Sequence, residues 1–337
     1  MEFDLIARIR ARATRRDDVV LGIGDDAAVL SVPPGLQLVV AMDTLNDGVH
    51  FPRGTHPSDV GWKALAVNLS DLAAMGAQPA WCTLSLSLPA PDLQWVDDFL
   101  DGFLALAALH RVALVGGDTT RGPLSVCVTV HGLIEPGQAL RRDGAQVGDD
   151  VWVSGTLGDA AAGLALVLDA TRVSLEKSDA TPAIQSHALD SQGRETLRSR
   201  LDRPTPRVAL GRALRGLATA CIDVSDGLLA DIAHVAQASH VGIDITLAAL
   251  PESDALRAHA DGARLHMLQA SGGDDYELAF TAASANRNAL EVLTQDHGVR
   301  LSRIGTVRAG VGVVAFDADA RPLDVARRGY EHFDPVG

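Results

Sequence analysis

The segment at residues 64–76 constrains the fold more than any other part of the chain, because it is largely apolar and contains one acid. Its sequence, ALAVNLSDLAAMG, repeats leucine at helical spacing, and a helix that is apolar nearly all round is normally buried. A carboxylate there must be hydrogen-bonded, paired or metal-bound, since an isolated buried charge is very costly. Local bonds from Asn68 or Ser70 to Asp71 are one solution. A bound cation is the other.

Aspartates also cluster at five further places, each time beside Gly, Ser or Thr. Several of these clusters follow short apolar runs, and ligands commonly meet an α/β sheet at the ends of its strands. Mg²⁺ favours carboxylate oxygens and bridges them to nucleotide phosphates, whereas the same acids without metal would repel one another. The pattern therefore predicts a metal–phosphate site, although a helix N-cap or a tight turn would explain any single cluster. The clusters contain Asp25 and Asp26, Asp43, Asp118, Asp223 and Asp226, and Asp274.

The glycine-rich turn near the N-terminus does not predict a dinucleotide site. Gly22, Gly24 and Ala27 fit the spacing, but that fingerprint must open a helix, and a Pro-Pro pair at 33–34 follows too soon. We interpret the segment as a glycine turn that presents Asp26 at the mouth of a strand. The chain also has no phosphate-binding G-x-x-x-x-G-K-[ST] loop, no protein-kinase lysine motif and no zinc-ligand spacing. A nucleotide would therefore be held through carboxylates and metal.

Two short strands are predicted directly before acids. Residues 36–42, LQLVVAM, predict a buried strand with Asp43 at its end. Residues 112–115 predict another, followed by Gly-Gly-Asp-Thr-Thr-Arg at 116–121. The glycines allow close approach of a ligand, and the hydroxyl and guanidinium groups suit phosphate.

The length of 337 residues predicts two domains, and a hydrophobic fraction of 47% is enough for sizeable cores. We place the boundary at Pro-Gly 136–137, which gives an N-terminal domain of residues 1–136 and a C-terminal domain of residues 137–337. Ser-Asp followed by Gly-Gly-Asp occurs at similar spacing in both halves, as two related α/β halves would explain. Residues 170–200 are polar without a clear period and predict a variable surface insertion.

The net charge of -14 argues against nucleic acid or an anionic membrane as the main partner. The three cysteines lie in apolar runs without metal-ligand spacing, which predicts buried free thiols in a reducing compartment. The N-terminus has no apolar signal core, and no apolar stretch reaches the roughly 18 residues that a membrane span needs. We expect a cytoplasmic protein.

Seven motifs in order resemble the thiamine-monophosphate kinase family, within the superfamily of aminoimidazole ribonucleotide synthetase. They are GIGDDAAVL, DTLNDGVHF, ALAVNLSDLAAMGAQPAW, LVGGDTTRGPLSV, DVSDGLLADI, SGGDDYELAF and GYEHF. The resemblance implies a two-domain α/β (α+β) fold with mixed sheets packed by helices, and a homodimer. It also implies phosphorylation of thiamine monophosphate to thiamine diphosphate by ATP with several Mg²⁺ ions.

Matching motifs imply a role for particular residues. The resemblance implies Mg²⁺ ligands at Asp26, Met42, Asp43, Asp71, Asp118, Asp223 and Asp226, nucleotide contacts at Gly117, Asp118, Arg142 and Ser225, and thiamine monophosphate contacts at His50, Asp274 and Tyr330. Relatives often have hydroxyl residues where Ala41-Met42 stands, so at Met42 only a carbonyl oxygen remains as a ligand. Relatives often have Glu in place of Asp274, which makes that contact a methylene shorter. The acceptor is itself a phosphate, so no general base is required.

Other readings of the sequence stay open. Another enzyme of the superfamily is one, but a selenophosphate synthetase should have a reactive Cys and a Lys near the N-terminal glycine turn, and neither occurs before Lys63. An aminoimidazole ribonucleotide synthetase would differ in its amidine substrate. A non-catalytic nucleotide or metal sensor would need fewer acids than this chain retains. Release of ADP with each acceptor distinguishes these alternatives.

Overall fold

The computed structural model describes residues 2–14, 16–176, 190–323 and 329–330. Two compact units make up the chain. The first comprises Met1–Ala139 with Pro206–Arg212, and the second comprises Leu140–Thr205 with Ala213–Gly337. Within the described residues, no helix combines the length and the apolar character needed to cross a membrane.

Helices and strands are numbered along the chain. The elements up to residue 134 are α1 (Glu2–Arg12), β1 (Val19–Leu21), β2 (Val29–Leu30), β3 (Gln37–Asn46), α2 (Pro57–Ala74), β4 (Gln78–Leu88), α3 (Leu93–His110), β5 (Ala113–Arg121) and β6 (Ser125–Ile134). Those that follow are β7 (Asp150–Ser154), α4 (Asp159–Glu176), α5 (Ser191–Asp202), α6 (Val208–Ala213), β8 (Ala218–Asp223), α7 (Leu228–Ser239), β9 (Gly242–Thr246), α8 (Asp254–His259), α9 (Gly262–Ser271), β10 (Leu278–Ala282), α10 (Arg287–His297), β11 (Leu301–Arg308), β12 (Gly312–Phe316) and β13 (Pro322–Leu323).

The first unit is built on a mixed sheet, which in the described residues has four strands in the order β3-β6-β4-β5. Only β4 and β5 run parallel. The predicted apolar helix is α2, which begins seven residues earlier than the segment at 64–76 because His56 accepts a hydrogen bond from the Ser58 N–H and Pro57 fits the first turn. Helices α2 and α3 touch through their backbones: a Cβ on Gly61 would lie 2.1 Å from the Phe99 carbonyl oxygen.

The strand predicted at residues 36–42 is present as β3, but the prediction that it is buried was wrong, and β3 runs on to Asn46, so Asp43 lies inside it rather than at its end. Strand β3 is an edge strand, and its side chains alternate between a covered and an open face of the sheet. Leu38, Val40 and Met42 are 46%, 54% and 62% exposed. An apolar run in the sequence does not distinguish side chains that pack inside their own unit from side chains that another surface covers. Strand β5 also runs further than residues 112–115, so Asp118 lies inside it rather than at its tip.

The second unit contains a mixed sheet of seven described strands, in the order β13-β12-β9-β11-β7-β10-β8. Its core includes Val151, Ile222, Ile243 and Ile304 from the strands, together with Ile232 from α7. The two mixed sheets with helices packed on them confirm the predicted α/β (α+β) fold class.

The segment at residues 170–200 differs from the predicted surface insertion. Helix α4 extends into it and α5 occupies its end, while residues 177–189 lie outside the described part of the chain. Leu197 and Leu201 of α5 are buried, and a Cβ on Gly163 of α4 would lie 2.4 Å from the Leu197 carbonyl oxygen. Helix α5 was missed because it has only a narrow apolar stripe among many charged residues.

Candidate functional site

A cleft of about 1220 Å³ in the first unit brings three of the predicted site residues together. Its walls are α1, the turn at residues 22–28, and parts of β4 and β5. Asp26, Gly117 and Asp118 line this cleft, with Asp25 beside them. Two acids from separate elements, and a backbone segment without side chains at Gly117, thus line the same cleft. A cation and a polyphosphate need such a combination of carboxylates and accessible main chain.

Two glycines explain the shape of this cleft. Gly24 has a φ of +119°, a conformation that favours glycine, and no helix follows it before β2. The rejection of the dinucleotide fingerprint is therefore confirmed. Gly117 has a φ of +149°, and a Cβ there would lie 1.8 Å from the Leu84 carbonyl oxygen of β4. Only glycine lets β5 pass this close to β4 while leaving its outer side open to a ligand.

Asp43 and Asp71 belong to two elements that a single amide side chain joins. The Asp43 N–H donates to Asn68 Oδ1 at 2.9 Å, and Asn68 Nδ2 donates to the Ala64 carbonyl at 2.9 Å. Asp71 follows Asn68 by three residues and so lies on the same side of α2. The Asn68 amide thus ties α2 to β3 at the position of Asp43. Asp71 is half-buried.

Met42 directly precedes Asp43, and His50 follows it in the loop after β3. The Met42 side chain lies on the open face of the sheet, opposite to that of Asp43, so its carbonyl oxygen is the only candidate ligand atom. A thioether would in any case suit Mg²⁺ poorly. In the loop after β3, His50 Nδ1 accepts a hydrogen bond from the Asn46 N–H at 2.9 Å. This bond leaves the proton of the neutral ring on Nε2.

The second unit brings five predicted residues together around the turn between β8 and α7. Asp223 ends β8, and Ser225 and Asp226 form the turn. The Asp274 N–H donates to the Ser225 carbonyl at 2.8 Å, and the Tyr330 N–H donates to the Asp226 carbonyl at 3.0 Å. Predicted metal, nucleotide and substrate contacts are therefore neighbours here, although they are far apart in the sequence.

Asp231, in the first turns of α7, is a residue that the sequence reasoning missed. One of its carboxylate oxygens accepts hydrogen bonds from the N–H groups of Ser225, Asp226 and Gly227, at 3.0–3.1 Å. Burial, with the nearby charges of Asp223 and Asp226, raises the pKa of Asp231 to about 8. The signal was present, since Asp231 is an acid among apolar helical residues, as is Asp71.

This contact changes what the turn can bind. The N–H groups before a helix are a natural anion site, but here the protein's own side chain occupies them. The side chains that this turn presents carry oxygen atoms: the carboxylates of Asp223 and Asp226 and the Ser225 hydroxyl. That donor set fits Mg²⁺ and does not fit a free phosphate.

Arg142 does not join this group within its unit. Its carbonyl accepts a hydrogen bond from the Ser239 hydroxyl at 2.8 Å, and Ser239 is the last residue of α7. The turn precedes the first residue of that helix, and twelve helical residues span about 18 Å. The main chain of Arg142 therefore lies at the far end of α7 from Ser225.

Within the described residues, no three His, Cys, Asp or Glu side chains form a ready metal-binding group. The acids instead occur in small sets on separate elements. Mg²⁺ commonly binds through one or two carboxylates, with substrate phosphates and water completing its shell. Small sets of acids of this kind would suit metal ions whose remaining ligands come from a polyphosphate and water.

Removing the Asp231 side chain tests its support of the turn. We expect Asp231→Ala to weaken Mg²⁺-dependent nucleotide binding by about 10- to 100-fold, because three N–H groups lose their acceptor and the turn loosens. Asp231→Asn keeps an acceptor oxygen and should restore most of the affinity. Titration calorimetry measures both, and Asp244→Asn, which removes a carboxylate bound to Arg308 on the sheet, is the control. Equal affinity of Asp231→Ala and the wild type would contradict this role.

Comparison with known protein families agrees with this architecture. Residues 24–134 match the family described as AIR synthase related protein, N-terminal domain, and residues 146–317 match its C-terminal domain. The class defined by the two mixed α/β units and their acidic turns is thus that of the AIR synthase related proteins.

Full-length relatives narrow this assignment. The chain is 46% identical over 334 residues to thiamine-monophosphate kinase of Salmonella typhimurium, covering 98% of each protein. It is 53% identical to the crystal structure of thiamine-monophosphate kinase from Stenotrophomonas maltophilia, with a TM-score of 0.84 over 96% of this chain and 98% of that one. A structure described as AaThiL complexed with AMPPCP and TMP is 33% identical, with a TM-score of 0.75 over 98% and 96%. The chain belongs to the thiamine-monophosphate kinase family, and the resemblance drawn from the seven motifs is confirmed.

Proposed function

We propose that this chain transfers the γ-phosphoryl group of ATP directly to thiamine monophosphate, giving thiamine diphosphate and ADP. One observation carries the proposal: full-length similarity to a structure described as holding both AMPPCP and TMP. The clustering of Ser225, Asp226, Asp274 and Tyr330 in one unit supports it, because a kinase must bring metal, nucleotide and acceptor contacts together.

The proposed metal ligands are the acids singled out in the sequence. Their carboxylates, with one carbonyl, form an all-oxygen donor set that suits Mg²⁺. Bound Mg²⁺ would neutralise charge on the nucleotide phosphates and lower their repulsion of the acceptor. The ligands would be Asp26, the Met42 carbonyl, Asp43, Asp71, Asp118, Asp223 and Asp226.

The other predicted residues would position the two substrates. Gly117 offers its bare backbone, Ser225 its hydroxyl and Arg142 its guanidinium to the nucleotide, with Asp118 shared between metal and nucleotide. His50 Nε2, the Asp274 carboxylate and the Tyr330 ring would contact thiamine monophosphate. The acceptor phosphate is already an anionic nucleophile, so catalysis consists of alignment and charge neutralisation without a general base.

The test is ADP release with each acceptor in turn. The purified chain is incubated with Mg²⁺ and ATP, and with thiamine monophosphate, selenide or a ribonucleotide amidine. We expect ADP and thiamine diphosphate in equal amounts with the first acceptor only. ADP release with either of the others would favour the alternative enzymes of the superfamily, and nucleotide binding without turnover on any acceptor would favour a sensor.

We also propose a homodimer that forms through the open face of the first-unit sheet. Leu38, Val40 and Met42 expose apolar side chains side by side on edge strand β3, and an apolar patch of this kind is typical of an interface.

We expect Val40→Glu to produce monomers, since an interface charge must be desolvated. Sedimentation velocity measures the mass. Leu109→Glu, at a 69% exposed leucine of α3, is the control and should change nothing. A wild type that sediments as a monomer would contradict the interface.

We propose that the protein is located in the cytoplasm, because its cysteine thiols are unpaired. Cys82, Cys127 and Cys221 are all unpaired, and Cys82 and Cys221 are buried. Burial raises the pKa of the Cys82 and Cys221 thiols, which makes them unreactive. Such thiols are typical of proteins in a reducing compartment.

A further inference from the structure

Four charged side chains meet in the interior of the second unit, outside the site described above. Arg200 of α5 lies with its Nη2 2.8 Å from Glu277 Oε1 and its Nε 3.9 Å from Asp159 Oδ2. Asp275 belongs to the same group, since its charge acts directly on Arg200. The Arg200 side chain is 18% exposed, and the Asp159 and Glu277 side chains are nearly inaccessible. Arg200 thus lies close to three buried acids.

Neutral donors also bind two of these acids. The Ser154 hydroxyl donates to Glu277 Oε2 at 2.6 Å, and the Gly158 N–H donates to both oxygens of Asp275 at 2.9–3.0 Å. Burial raises the pKa of Asp275 well above its ordinary value, and the charge of Arg200 opposes that rise. Removing one partner from a buried ionic group is strongly destabilising, because the remaining charges lose their compensation.

This network holds one side of the segment that carries Asp274. Asp275 and Glu277 enter the network, while Asp274 and Tyr276, which alternate with them along the chain, have φ values of 69° and 50°. Non-glycine residues seldom adopt this left-handed conformation unless their surroundings hold them there. The Tyr276 N–H donates to the Val224 carbonyl at 2.8 Å, and the Tyr276 hydroxyl lies 3.2 Å from an Asp274 carboxylate oxygen.

We propose that Arg200 is a positioning residue for the acceptor site. By compensating Glu277 and Asp275, it keeps residues 274–277 in the alternating conformation that presents Asp274 beside the turn at Ser225. Arg200 touches neither substrate and acts through this segment. The proposal rests on the proposed function, in which Asp274 contacts thiamine monophosphate.

The test compares Arg200→Met with Arg198→Met on the same helix. Arg198 is 39% exposed and pairs with Asp202, whose side chain is 8% exposed, so its loss removes an equal charge from a buried acid without touching the network. We expect Arg200→Met to raise the KM for thiamine monophosphate about tenfold or more and to leave the KM for ATP within about twofold, because a small displacement of a contact residue is enough for this loss. Arg198→Met should change neither value.

Two further variants keep the test decisive if Arg200→Met does not fold. Arg200→Lys retains the charge and should regain most of the affinity for thiamine monophosphate. Arg200→Met combined with Glu277→Gln removes one cation and one anion together, so it should fold and still show the raised KM. An unchanged KM for thiamine monophosphate in the folded variants, or an equal rise in both KM values, would overturn the proposal.

Hydrogen exchange separates this proposal from the proposed function. Amides of residues 274–277 should exchange faster in Arg200→Met, or in the double variant, than in the wild type and in Arg198→Met. Unchanged exchange would overturn the positioning role whatever the enzyme phosphorylates. If the wild type instead releases no ADP with thiamine monophosphate, the proposed function fails while the exchange experiment still decides the role of Arg200.

Discussion

Replacing Asp71 by Asn is expected to lower turnover about a thousandfold, equivalent to about 4 kcal/mol of transition-state stabilisation. The physical reason is its place in α2, one helical turn from the Asn68 amide that binds the Asp43 backbone. Asn has the same shape but lacks the charge that would hold Mg²⁺. A steady-state assay with thiamine monophosphate measures kcat.

The fold should survive this substitution, because an amide in place of a half-buried carboxylate removes a charge and leaves no cavity. Thermal unfolding checks this. Asp59→Asn is the matched control: it makes the same change in the first turn of α2, where the acid faces the positive end of the helix dipole. It should lower stability by at most about 1 kcal/mol and leave turnover unchanged. Wild-type turnover in Asp71→Asn would remove Asp71 from the metal site.

Removal of divalent cations is the second change for which we expect a large loss of turnover. We expect excess EDTA to reduce turnover to background, a loss of about a thousandfold or more, since the clustered acids and the two anionic substrates then repel one another. Added Mg²⁺ should restore the full rate. Ca²⁺ should restore little, because it prefers more ligands at longer distances than Mg²⁺.

ATP itself binds Mg²⁺, so chelation alone does not assign the metal to the protein. The sharper measurement is the Mg²⁺ concentration that gives half-maximal rate, at fixed and saturating ATP. We expect Asp226→Asn to raise this concentration about tenfold or more. EDTA already saturated with Mg²⁺ is the control and should not inhibit. Full activity in metal-free buffer would refute the proposal that the acids act through a cation.

Features that depend on local pattern could be predicted from the sequence. The apolar spacing of α2 and the Pro-Pro pair after the first glycine turn gave the correct element types there. Local chemistry was sufficient because each of these features depends on a few neighbouring residues.

Features that depend on distant partners could not be predicted. The exposure of Leu38, Val40 and Met42 follows from the open face of the sheet on which they lie, which the run LQLVVAM does not encode. Arg200 lay inside a segment interpreted as a surface insertion, and only the tertiary fold shows that it meets Glu277, far away in sequence. Asp231 carries the same sequence signal as Asp71, an acid among apolar helical residues, but its three N–H donors come together only in the folded turn.

The direct main-chain contact between α2 and α3 limits which substitutions this protein tolerates. Gly61 lies against the Phe99 carbonyl, and a Cβ on Gly102 would lie 1.7 Å from the Ser58 carbonyl oxygen, so two main chains touch without side chains between them. Even one added methyl group at either glycine would wedge the helices apart and lift the acid-bearing side of α2 off β3. Among substitutions that inactivate the protein, in natural or laboratory populations, we therefore expect many at these two glycines, although neither residue has a reactive side chain.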